Sequence, residues 1–154
     1  NIVYLDIQYI IDNSDLGIFY KSKINKLADN NKENLKIKKN EIKLKEEEIN
    51  NQKNLLSKDE IEKKIVSLNN LVKNYQIEQN KKNKFVIDEK KIYTSKILKL
   101  LNPLLTNYVE KNKITLVVDK KNILVGIKSL DITPDILKIL NDETKKNNLL
   151  NNEE

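Results

Sequence analysis

The sequence predicts an α+β protein in which a long antiparallel α-helical hairpin projects from a small β body. Three observations lead there. Residues 18 to 110 carry two long helical patterns without a glycine, and without a proline until Pro103. The patterns break once, at Leu55-Leu56-Ser57-Lys58-Asp59-Glu60. Strand-like runs lie only outside them, at residues 2–7, 114–118 and 123–127. A helix rises about 1.5 Å per residue, so each arm of roughly 40 residues reaches about 60 Å. A chain of 154 residues cannot wrap one compact core around rods of that length.

In chain order, residues 1–17 and 110–142 are expected to form the body and 18–109 the hairpin, with its tip near 55–60. Residues 143–154 read as a polar, frayed tail. Ile2 to Ile7 mixes Val, Tyr and Ile as a strand does. Ser14 stands three residues before Gly17 as an N-cap for the first arm. Gly17 allows close backbone approach at the entry to that arm. Ala28, Leu35, Ile42 and Ile49 then recur every seven residues, joined near the base by Ile24 and Leu27. Ser57 and Glu60 spell a capping box at the start of the second arm. Its apolar positions, Ile61, Ile65, Leu68, Val72 and Tyr75, alternate in threes and fours.

With the reversal near Ser57, antiparallel pairing sets Ile49 against Ile65 and Ile42 against Leu71 and Val72. It also sets Ala28 against Phe85 and Val86, small against large as a helix pair requires. The seam is interrupted by Asn31 and Lys38 on the first arm and by Gln79 and Lys82 on the second. These fall at one height, so the middle of the arm packs poorly and bends easily; setting register is the other use of polar seam residues. A second stripe, Ile37, Leu44, Ile77, Phe85 and Ile92, lies largely outside the seam. It reads either as a weak surface for extended chains or as packing for a third helix.

Past Pro103 the period changes. Residues 114–118 and 123–127 read as two strands around the turn Asp119-Lys120-Lys121-Asn122, a β-hairpin. Thr133-Pro134-Asp135 opens a short helix over about 134–141, with a hydroxyl cap, proline in the first turn and an acid near the positive end. Asp131 bonds local amides ahead of that cap. Three strands and one short helix cannot bury a stable core alone. Strands from several copies joined into one barrel or sheet are the remedy.

Composition narrows the function. Cys, His, Met, Trp and Arg are all absent. Without Cys and His there is no thiol chemistry, no ordinary zinc site and no imidazole base, so no enzyme, metal or cofactor is expected. No apolar run is long enough to cross a membrane as a helix. A chain that opens Asn1-Ile2-Val3 and contains no methionine reads as a processed product, from signal-peptide removal or from trimming. The net charge of +6 is uneven: residues 20–113 hold 23 lysines against 13 acidic residues, and the remainder holds 6 against 10. A basic rod attracts acidic clients, anionic lipid or nucleic acid, or is simply a solvated helix surface.

Five segments, taken together and in order, resemble a known family over nearly the whole chain. They are Val3-Tyr4-Leu5-Asp6-Ile7-Gln8, Ser14-Asp15-Leu16-Gly17, Leu116-Val117-Val118-Asp119-Lys120, Asn122-Ile123-Leu124-Val125, and Asp131-Ile132-Thr133-Pro134-Asp135-Ile136-Leu137. With a long hairpin between the second and third, they resemble the Skp/OmpH family of periplasmic chaperones for outer-membrane proteins. The resemblance implies a homotrimer whose body completes a β-barrel and whose three helical arms enclose a cavity. It also implies periplasmic export with the signal peptide removed, and ATP-independent holding of unfolded outer-membrane barrel proteins. No catalytic residue follows from it.

On this reading Lys36, Lys38, Lys39, Lys43, Lys45, Lys81, Lys82 and Lys84 steer acidic clients, while Ile37, Leu44 and Ile77 make weak, exchanging contacts. Contact with anionic lipid fits basic arms. The alternative is a non-catalytic coiled-coil spacer or assembly module of the cell envelope. Specific nucleic-acid binding is disfavoured, because a rod without Arg and with few aromatics has no base-reading or stacking surface.

Overall fold

A computed structural model describes residues 1–151. The chain forms β1 (Ile2–Leu5), α1 (Ile7–Asn13), α2 (Asp15–Gln52), α3 (Lys58–Lys111), β2 (Leu116–Asp119) and α4 (Thr133–Lys146). Short 3-10 turns cover Lys120–Asn122 and Lys128–Leu130. Two compact units result, one of Asn1–Ile24 with Glu89 onward, the other of Asn25–Asp88. The divisions fall inside α2 and α3 rather than at 17/18 and 109/110, because Tyr20, Ile97 and Leu101 belong to the core of the first unit.

In the first unit β1 and β2 pair in parallel, Ile2 with Leu116 through Leu5 with Asp119. The sequence reading differs here in two ways. The first strand ends at Leu5 instead of Ile7, because the Asp6 carboxylate accepts the Tyr9 N–H at 2.9 Å and caps α1. The apolar set Ile7, Ile10 and Ile11 then follows helical spacing. The expected β-hairpin is also absent: residues 123–127 form no strand, and β2 takes β1 as its partner. Asp119 instead caps the 3-10 turn, accepting the Lys121 N–H at 3.2 Å. No residue there takes the positive φ that a tight two-residue reversal needs.

The core of this unit joins all of its elements, with Leu5, Ile10, Ile97, Leu101, Ile136 and Leu140 fully buried. Tyr20 of α2 and Tyr93 of α3 stack with centroids 4.3 Å apart and planes 6° from parallel. Tyr108 donates to Asp135 at 2.7 Å, tying α3 to α4, and this bond pushes its phenol pKa up to about 12. Thr133 does not cap α4 with its hydroxyl; that oxygen accepts the Asp6 N–H at 2.9 Å instead. Asp131 accepts the Thr133 N–H at 3.0 Å, the local amide bond expected of it. The tail is less polar than expected, since Leu149 and Leu150 pack on the core; its last residues, 152–154, lie outside the described residues. α3 ends in a Schellman turn, with the Ile114 N–H on the Val109 carbonyl at 3.0 Å and Lys113 left-handed at φ 51°.

The second unit is an antiparallel helix pair. Its reversal ends in the expected capping box: Glu60 accepts the Ser57 N–H at 2.9 Å, and Ser57 Oγ accepts the Glu60 N–H at 3.4 Å. Leu35, Ile42, Ile49, Ile61, Leu68, Leu71, Val72, Tyr75 and Val86 are half-buried along the seam. None of residues 25–88 is fully buried, so each gains less than the roughly 1.5–3 kcal/mol of a buried aliphatic. Three expected seam residues are exposed: Ala28, Ile65 at 42% and Phe85 at 53%. Lys64 takes the place of Ile65 and reaches Glu48 at 2.6 Å. The half-buried residues Ile61, Lys64, Leu68, Leu71, Tyr75, Glu78 and Lys82 still alternate in threes and fours, but the three comes first, which turns Lys64 rather than Ile65 to the seam.

The junction of α1 and α2 gives a direct test. Ser14 is buried and its Oγ accepts the Gly17 N–H at 3.0 Å, the N-cap expected of it. A Cβ on Gly17 would lie 1.9 Å from the Ile11 carbonyl oxygen, so backbone must move. Gly17→Ala is expected to destabilise the fold by at least about 1–3 kcal/mol, read as a lowered urea midpoint at fixed protein concentration. Ser22→Ala, at an exposed site on the same helix, should leave the midpoint unchanged.

Candidate functional site

The polar interruption of the seam builds a cross-helix network. Asn31 and Lys38 come from α2, and Glu78 and Lys82 from α3. Lys38 Nζ donates to Glu78 Oε2 across the helix pair. Lys82 lies 3.7 Å from the other oxygen of Glu78 and donates to Asn31 Oδ1 at 3.4 Å. One carboxylate therefore clips the two helices where apolar packing lapses. The Lys38 hydrogen bond is the main reason that the Glu78 carboxyl is held below its ordinary range. Nearer the tip, the Lys64 bond lowers Glu48 in the same way.

The lysines and apolar residues singled out from the sequence do not converge on one patch. Ile37 and Leu44 are 65% and 64% exposed, and Ile77 is 43% exposed. Ile37 follows the seam residue Leu35 by two positions, and Ile77 follows Tyr75 likewise. Each is thus turned about 200° from its own seam, toward opposite outer sides of the pair. Lys43 pairs with Glu47 at 3.9 Å and Lys84 with Asp88 at 3.3 Å, so with Lys38 and Lys82 half of the eight lysines face acids. Lys45 borders a small cleft with Glu48, Ile49, Lys64 and Ser67. Lys36 and Lys39 edge a larger groove with Leu35 and Tyr75. Lys81 is exposed.

Charge is also less polarised than the sequence count implied. Divided at the unit boundaries, residues 25–88 carry 15 lysines against 11 acidic residues, and the rest of the chain carries 14 against 12. Glu78 was missed by sequence reasoning, although its position four residues before Lys82 was the available signal. Among the described residues, no group of three or more acidic side chains is placed to hold a metal ion. No helix among them is long and apolar enough to cross a membrane.

Comparison with known proteins agrees with this architecture. Residues 1–140 match the family profile described as outer membrane protein (OmpH-like). The chain belongs to the OmpH-like family, the Skp-type periplasmic chaperones that serve outer-membrane proteins and carry no catalytic site. Its fold is similar to the crystal structure of an OmpH-like candidate outer-membrane chaperone from Caulobacter crescentus CB15. The TM-score is 0.84 at 13% identity, over 92% of this chain and 84% of that one. No curated protein is a significant match to the sequence.

The Glu78 clip makes the middle of the helix pair acid-sensitive. A carboxylate lowered in the folded state stabilises above its unfolded pKa and loses that contribution as pH falls through the folded value. Acidification below about pH 4.5, the ordinary glutamate value, is expected to lower amide protection across residues 30–40, once intrinsic exchange rates are corrected for. In Glu78→Gln protection should already be low at pH 7, with less further change on acidification. Identical acid profiles for the two proteins would show that Glu78 clips nothing.

Proposed function

We propose that the chain is an ATP-independent holdase that binds unfolded outer-membrane β-barrel proteins between the basic helical arms of a homotrimer. The observation that carries this reading is the thin helix pair: apolar side chains spread along both outer sides, none buried, interspersed with lysines. Many weak apolar contacts hold a chain without imposing a fold on it, and release then needs no fuel. The first unit supports assembly. A two-stranded sheet is not stable in isolation and leaves open edges. Ile2, Leu116, Leu124, Val125 and Ile127 are exposed in the single chain, Leu124 fully. Residues 123–127, strand-like in sequence and unpaired here, are the natural segment to complete a barrel with neighbouring copies. Lysines on the arms add attraction for acidic clients over distance and are compatible with anionic lipid nearby.

Native mass spectrometry of the chain, alone and after diluting a urea-unfolded outer-membrane barrel protein into it, tests the assembly and the binding together. Three copies alone, and three copies with one client, are the expected species. A trimer that ignores the client would favour an envelope spacer instead. Raising salt should slow association by roughly tenfold while changing dissociation much less, because charge steers encounter more than it holds the complex. An association rate indifferent to salt would remove the lysines from the capture step.

A further inference from the structure

The seam interruption leaves more than a weak spot. A groove of about 740 Å³ opens between α2 and α3 within the second unit. Such a volume falls in the range of ordinary ligand pockets, about 300–1,000 Å³. It exists because Asn31 and Gln79 stand where a continuous seam would put large aliphatic side chains, and Ala28 beside them is too small to fill the space. Leu35, Tyr75, Val86 and Ile87 give it apolar walls. Lys32, Lys36 and Lys39 edge it on the α2 side, spaced by four and three residues on one helix face. Unlike Lys38, Lys43, Lys82 and Lys84, these three make no ion pair among the described residues. Beneath the groove Lys82 donates to Asn31 Oδ1, while Asn31 Nδ2 is buried without an acceptor.

From this we infer that the groove is a discrete subsite for an extended polypeptide segment in which a bulky apolar side chain is flanked by carboxylates. The proposal rests on the holdase reading and names the client feature that the arm selects. The apolar side chain lies against Tyr75 and Val86, and the flanking carboxylates meet the unpaired lysines. A peptide fits better than an anionic amphiphile, because three unpaired lysines in a row along α2 match more than one carboxylate, whereas an amphiphile brings a single charged head.

Fluorescence anisotropy with the full-length chain and three labelled peptides in a common Gly/Ser frame tests the assignment. The peptides carry Asp-Phe-Asp, Lys-Phe-Lys or Asp-Ser-Asp at the centre. The first is expected to bind about tenfold or more tighter than the others. Two variants act on different parts of the site. Lys32→Gln with Lys36→Gln and Lys39→Gln removes exposed charges and should weaken the Asp-Phe-Asp peptide several-fold. Asn31→Leu with Gln79→Leu fills the groove, should preserve helicity by circular dichroism, and should abolish selective binding.

Equal binding of the three peptides, or unchanged binding after filling, overturns the subsite. So does dodecanoate occupying the groove, with the same sensitivity to both variants, in place of the peptide. Suppression of aggregation of a urea-unfolded barrel protein by the wild-type chain separates the two levels. Suppression without peptide selectivity sinks the subsite and leaves the holdase standing, whereas peptide selectivity without suppression does the reverse.

Discussion

A parallel pairing between the first residues of the chain and residues 116–119 is the constraint on which the rest of this structure depends. Parallel strands cannot be joined by a tight turn and require a crossover; here α2 and α3 supply it. Because the partners are far apart in sequence, the pairing also needs local fastening, and Asp6 provides much of it. Its carboxylate caps α1, its N–H donates to Thr133 Oγ1 at the start of α4, and its other oxygen lies 3.2 Å from Lys120 just beyond β2. That bond is the main reason the Lys120 pKa is raised. The Tyr4 carbonyl adds a further tie by accepting the Ile132 N–H at 3.0 Å. One strand end thus holds α1, β2 and α4 in register.

What could be read from the sequence divides along the range of the interactions involved. The Ser57 capping box, the Ser14 cap, the tight Gly17 site and the Asp131 turn are set within a few residues, and each is found as read. The long helices were legible because their period persists over dozens of residues. The helix Ile7–Asn13 was not, since Ile and Tyr serve a strand equally well and the deciding residue is the cap, Asp6. Residues 123–127 have the composition of a strand, but strand formation requires a partner edge, and no local residue says which one. In the helix pair the identities of the lysines were plain, yet their partners were not. Placing Lys64 rather than Ile65 in the seam depends on the phase of α3, since a step of three or of four from Ile61 continues an alternation of threes and fours equally well.

The helix pair carries a physical conflict that its side chains resolve in a particular way. Two helices alone offer one narrow seam, so even an uninterrupted run of Leu and Ile reaches only partial burial. Placing Asn31, Gln79 and Lys82 in that seam removes apolar contact where little is available. The ion pairs of Glu78 replace packing with electrostatics, but ion pairs as exposed as these contribute little and are screened by salt. The middle of the pair is therefore held by the interaction most easily exchanged for another of its kind.

A surface that binds many unfolded sequences needs contacts that form and break readily, and needs them to be interchangeable with the protein's own. The half-buried seam satisfies this: an aliphatic side chain of a client gains about as much against Leu35 or Val86 as the facing helix does. A carboxylate of a client can likewise substitute for Glu78 at a lysine with little change in energy. A fully buried, apolar seam would forbid both exchanges, because opening it would expose side chains worth roughly 1.5–3 kcal/mol each. On the holdase proposal, the same sparse packing that leaves the pair weakly held is what makes it a soft, reversible binding surface.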